Sequence, residues 1–163
     1  MDDATLSKIN AVDWGAHSHP CGFDQRLVPG LLNQLVQGDE AEACRAATDL
    51  WNIAAHQGNV GSSAVPILSI VMELMPRLSE QVQVELLDTL YQFVLVAERS
   101  PRLSRPTDDS VLDWRASLGA HFGTYREQFL VLKQSENEDV AGFAEMIIAE
   151  LDQIGEPEEL IGG

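Results

Sequence analysis

Apolar residues fall at spacings of three and four through most of this chain, the period that gives a helix one buried face. No sustained two-residue alternation bounded by hairpin dipeptides interrupts it, so strands are not expected. Residues 24–37 place Leu27, Val28, Leu31, Leu32, Leu35 and Val36 on one side, and Pro29 falls where a first turn tolerates it. Gly38 ends this segment, and Asp39 is a good N-cap for a second helix over 40–56. That helix turns Ala43, Ala46, Ala47, Leu50, Trp51 and Ile53 inward, with Gly58 behind it as a left-handed terminator. Ser62 and Ser63 can cap a third helix reaching Met75, which is apolar on most sides and belongs in the middle of the molecule.

A fourth helix follows Ser79 and extends to about Arg99, with Val82, Leu86, Leu87, Leu90, Tyr91, Phe93, Val94 and Val96 on its stripe. Residues 100–107 contain Pro101 and Pro106 and read as a loop. Asp108 or Asp109 should cap a long fifth helix through Leu112, Ala116, Leu118, Phe122, Tyr125, Phe129 and Leu132, with Gly119 and Gly123 as sites for a kink or for close packing. A sixth helix covers 138–154 on Val140, Ala144, Ile147, Ile148 and Leu151. The chain divides into a single helical domain, 1–155, and a flexible acidic tail, 156–163.

An internal repeat joins two of these helices. Leu50-Trp51-Asn52-Ile53 overlays Leu90-Tyr91-Gln92-Phe93, and Asp39 overlays Ser79 at the same offset of 40 residues. That period belongs to stacked helical pairs, none of which can bury its apolar side alone. An irregular antiparallel bundle would show similar stripes and is the alternative. The expected fold is all-α, an antiparallel helical-pair stack of about six main helices.

Composition narrows the function. The chain has 163 residues, 45% of them hydrophobic, enough for a core without disulfides or metal. Its 26 acidic residues face 10 basic ones, a formal net charge of −16. Such a charge disfavours nucleic acid and anionic membranes, and favours encounter with basic proteins. Cys21 and Cys44 do not make a secreted disulfide framework. The first residues lack a signal-peptide pattern, and the longest apolar run, 64–75, is interrupted by Pro66 and Glu73. A cytoplasmic protein is expected.

Several segments also carry a family likeness. Trp14, His17 or His19, and Gly22 precede Val28-Pro29 and Leu31-Leu32. His56-Gln57-Gly58-Asn59-Val60 then leads into Ala64-Val65-Pro66-Ile67-Leu68. Over residues 10–75 this resembles small bacterial HEAT-like repeat proteins, and Cys21 matches no part of that pattern. The resemblance implies a HEAT-like α-α superhelix. Some such proteins are encoded beside secreted polymorphic toxins, so it also implies an immunity role.

The candidate chemistry is sparse. His17, His19 and Cys21 are separated by single residues, tighter than the two to four usual between zinc ligands, so a structural turn is expected and no metal or cofactor. His56 suits a helix C-terminus and is placed to bond the turn near His19. Trp51 belongs to the core stripe, and Trp14 covers the open end of the stack. Trp114, between Asp113 and Arg115 and off its helix's stripe, is a partner-binding anchor. There is no Gly-x-Ser-x-Gly elbow, phosphate-binding glycine loop or His-Glu-x-x-His helix, so the chain is not expected to be an enzyme.

The expected function is therefore protein binding: an immunity protein that inhibits a cognate, basic toxin domain by steric occlusion or by charge mimicry of a polyanionic substrate. The binding residues expected are acids at helix starts and turns, Asp24, Asp39, Glu40, Glu42, Asp108, Asp109 and Asp113, with Trp114. The alternative is a general helical scaffold or adaptor with no toxin partner. A third and weaker alternative is a metal-dependent enzyme centred on His17, His19 and Cys21.

Overall fold

A computed structural model describes residues 3–97 and 109–155, with side chains described except at 109–113 and 155. Regular structure among them is entirely helical, with no strand. Eight α-helices follow in order: α1 (Asp3–Ala11), α2 (Val28–Gln37), α3 (Glu40–Ala54), α4 (Ala64–Leu74), α5 (Glu80–Val96), α6 (Asp109–Thr124), α7 (Arg126–Leu132) and α8 (Glu138–Gly155). None is long and apolar enough to cross a membrane. The expected loop 100–107, the tail 156–163, Arg99 and Asp108 lie outside the described residues.

The predicted stripes become most of the core, with two corrections: Leu27 is 56% exposed and Ala116 is exposed. On α3, Ala46, Ala47, Leu50 and Ala54 are fully buried. At the same 40-residue offset on α5, Leu86, Leu87 and Leu90 are fully buried and Val94 is nearly so. The two helices pack on each other, and the small residues of α3 let its backbone approach the larger ones of α5. Helix α5 also packs against α8, whose Val140, Ala144 and Ile147 are fully buried. Helix α4 touches α1, α5 and α6 and has no exposed residue, as its nearly all-round apolar sequence requires. Trp51 is half-buried against this core.

Two helices differ from the six expected. Helix α1 has only Thr5 and Ile9 buried, so its stripe is too thin for periodicity to detect. It is fixed by polar contacts instead: Thr5 Oγ1 donates to Glu73 at 3.0 Å, and Lys8 pairs with the same carboxylate. The other difference is that the long fifth helix is two, α6 and α7. Their break falls at Tyr125 rather than at Gly119 or Gly123. Thr124 Oγ1 takes the His121 carbonyl at 2.7 Å, the acceptor that a continuing helix would offer to Tyr125. The Tyr125 N–H turns to Phe122 O at 3.0 Å, one residue nearer, and its hydroxyl donates to Ser69 on α4.

The helix ends are instructive in detail. Asp39 caps α3 through a reciprocal pair of bonds, its carboxylate accepting from Glu42 N while Glu42 accepts from Asp39 N. Helix α3 ends at Ala54, two residues before the expected His56, and a short 3-10 turn His56–Gly58 follows. Gln57 and Gly58 there are both left-handed, at φ 51° and 78°. Helix α5 stops at Val96 rather than Arg99.

Candidate functional site: the N-terminal turn and the acidic helices

The segment between α1 and α2 is folded back onto the turn that precedes α4. Trp14 is buried, and its indole N–H donates to Ile9 O at 2.9 Å near the end of α1. Ser62 and Ser63, expected as helix caps, do not cap α4. Ser63 occupies the cap position in a helical conformation (φ −67°, ψ −9°), from which its hydroxyl makes no capping bond. That hydroxyl donates to the side-chain oxygen of Gln25, which is itself buried and donates to Phe23 O and Ile53 O. Ser62 Oγ accepts from Ser18 N and meets His17 Nδ1 at 3.1 Å, while Ser62 N donates to Ser18 O at 3.0 Å.

This close backbone pairing explains Gly61. A Cβ at that position would lie 2.7 Å from Ser18 O, so only glycine lets the two strands of the turn approach. His19, 7% exposed, uses both ring nitrogens: Nδ1 accepts from Cys21 N at 3.0 Å and Nε2 donates to Asn59 O at 2.7 Å. Burial lowers its pKa against the opposing pull of the Asn59 carbonyl, and His56 lowers it further. His17 is lowered by burial too, partly offset by Asp13 and by the bond to Ser62. The expected bond between His56 and the turn is instead a chain of edge-to-face ring contacts. Phe23 lies between His19 and His56, with ring centroids at 5.2 and 5.1 Å. Cys21 is exposed, and no group of three or more His, Cys, Asp or Glu among the described residues converges as a metal site.

The acidic residues expected to bind a partner have different fates. Asp24 caps the short turn before α2 and pairs with Arg26, whose bonds hold its carboxyl below the usual carboxylate range. Asp39 and Glu42 are engaged with each other in the α3 cap, and Glu40 is exposed beside them. Asp109 opens α6 and Asp113 follows one turn later. Trp114 is not free on the surface: it is half-buried against the core, with the Arg115 guanidinium carbon 5.4 Å from its ring centroid.

What the sequence reading missed is where the acids gather. Helices α3, α5 and α8, which pack in series, carry eleven carboxylates: three on α3, three on α5 and five on α8. The same three helices carry a single cation, Arg45. Eight of the eleven acids are exposed, and Glu85, Asp88 and Glu150 are half-buried. Burial raises the pKa of Asp88, with Gln92 opposing, and raises that of the Cys44 thiol, which Glu40 and Glu85 raise further. Partial relief comes from α7, whose Arg126 pairs with Asp152 at 2.6 Å, and from Lys133, which pairs with Glu145 at 3.0 Å. The other five helices carry five acids and three cations. No protein-family model, curated protein or solved structure matches the chain.

Proposed function

We propose that this chain is a protein-binding helical-repeat protein, an immunity protein that holds a basic toxin domain against its α3–α5–α8 helices and blocks it without chemistry of its own. The observation that carries the reading is the segregation of charge, eleven carboxylates against one cation on three helices packed side by side. Charge of one sign concentrated on adjacent elements, only partly offset here by Arg126 and Lys133, steers an oppositely charged partner and raises its association rate. A HEAT-like arrangement of pairs α2/α3, α4/α5 and α6–α7/α8 is part of the same proposal. It is supported by the 40-residue offset between the buried positions of α3 and α5, and by the packing of α3 on α5 and α5 on α8.

The test is protection in cells. The chain is co-expressed with a toxin domain encoded beside it, as wild type and with Glu40, Asp49 and Glu80 all changed to Lys. These three are exposed, so their reversal spares the core. Wild type should restore growth and the triple variant should not. Equal protection by both would sink the acidic-surface mechanism, and no protection by either would sink the immunity role.

A further inference from the structure

In a chain so rich in carboxylates, a cation without one needs a reason. Among the described residues Lys8, Arg26, Arg126 and Lys133 each pair with an acid. Arg45 and Arg115 do not; Arg45 is exposed on α3, where water serves it, whereas Arg115 lies on α6. It is half-buried, and its Nε is closed to solvent with no hydrogen-bond partner. A buried N–H of a guanidinium without an acceptor is destabilising, and contact with the Trp114 ring compensates only part of that.

Arg115 lines a cavity of about 170 Å³ between the N-terminal turn and α6. Pro20, Val60 and Trp114 give the cavity apolar walls, and Ser18 and Ser62 lie beside them. Ser62 Oγ is already committed to Ser18 N and His17. His19, also on the wall, is committed at both nitrogens, and its burial favours the neutral ring. The positive charge facing the cavity is therefore that of Arg115. A space this small excludes a nucleotide or a large ring. The apolar walls match a few methylenes better than the oxygens of a phosphate, and a guanidinium matches the planar, two-oxygen geometry of a carboxylate.

We propose that this cavity binds a carboxylate carried on a short apolar stem, held by Arg115 and flanked by Trp114. The stem is either a free short-chain acid or the side chain of a glutamate on a partner protein. The site is independent of the acidic helices and does not rest on the immunity reading.

The experiment follows the Trp114 indole N–H and the Arg115 Nε–H by nuclear magnetic resonance at constant ionic strength. The full chain is titrated in parallel with butyrate, with glutamate blocked at both backbone ends, and with inorganic phosphate. Butyrate should give saturable shifts of both signals, leaving the Trp51 indole unmoved. Saturation by blocked glutamate as well assigns the site to a partner side chain, and saturation by butyrate alone assigns it to a free acid. Arg115→Gln should weaken binding by about tenfold or more, the expected loss of a charge-assisted pair. Ser18→Leu, at an exposed position that narrows the cavity, should weaken it while leaving the backbone bonds of residue 18 in place. The proposal is overturned by shifts that never saturate, by equal butyrate binding in Arg115→Gln, or by tighter binding of phosphate than of butyrate. The wild-type titration decides the first and last of these even if a variant fails to fold.

Discussion

Residues 17–25 are held to the turn before α4 by hydrogen bonds, whereas α3, α5 and α8 are held together by buried side chains that make none. Gln25, Ser63 and His19 are as buried as much of the core, yet each is polar and each has its partners. Leu50, Leu90 and Ile147 are buried by contact alone. The difference sets how each region should fail. Apolar packing gives way gradually, in proportion to the volume removed, while a polar clasp fails when one partner leaves another buried and unpaired.

The largest effect is expected in the stack. Leu50→Ala and Leu90→Ala should each destabilise by ~2–5 kcal/mol in urea unfolding, because both side chains are fully buried at equivalent positions of α3 and α5. A loss well under one kcal/mol at both would mean that these helices do not share the packing described.

A smaller loss, ~1–3 kcal/mol, is expected for Gln25→Ala, which strands the Ser63 hydroxyl and deprives the Ile53 carbonyl of its side-chain donor. Hydrogen exchange should accelerate in residues 17–25 and 59–63 and change little in α5. Gly61→Ala should have the same regional signature, since its Cβ would force Ser18 away. Uniform acceleration across the whole chain in both variants would erase the distinction between clasp and stack.

Acid should separate the two regions more gently. His17 and His19 have pKa values below the ordinary imidazole value of 6.5, so the folded chain binds fewer protons than the unfolded chain there. Their contribution is complete above that value and is lost as pH falls through the lowered values. For His19, protonation also ends acceptance from Cys21 N. His19→Ala should lower stability at neutral pH and flatten the slope of stability between pH 7 and 5. An unchanged slope would place the titrating group elsewhere.

What could be read from the sequence follows from the same contrast. The stripes of α2 to α5 and α8 were legible because each repeats an apolar choice at helical spacing, and burial then follows locally. The role of Ser62 and Ser63 was not, because capping is judged from neighbours in sequence, and their partners are 38 to 45 residues away. Asp24 is a different case: its partner Arg26 is only two residues away, and that pairing competes with any other partner. The clustering of acids on α3, α5 and α8 needs knowledge of which helices adjoin, and α1 and the break at Tyr125 depend on polar bonds that leave no period. Trp114 was expected to stand off its helix's stripe as an exposed anchor, yet it packs half-buried against the core beside Arg115.

The central claim is that the α3–α5–α8 helices, and not net charge alone, receive a basic partner. Its most direct test compares two triple reversals with equal change in net charge. Glu40, Asp49 and Glu80 lie on these helices, while Asp3, Asp13 and Glu127 are exposed elsewhere. Association and dissociation rates with the proposed basic toxin partner are measured for wild type and both variants at low and high salt. The account predicts that reversal on α3 and α5 slows association on the order of tenfold at low salt, that high salt narrows this gap, and that the second variant stays close to wild type. Equal slowing by both variants, or rates insensitive to salt in all three proteins, would contradict it.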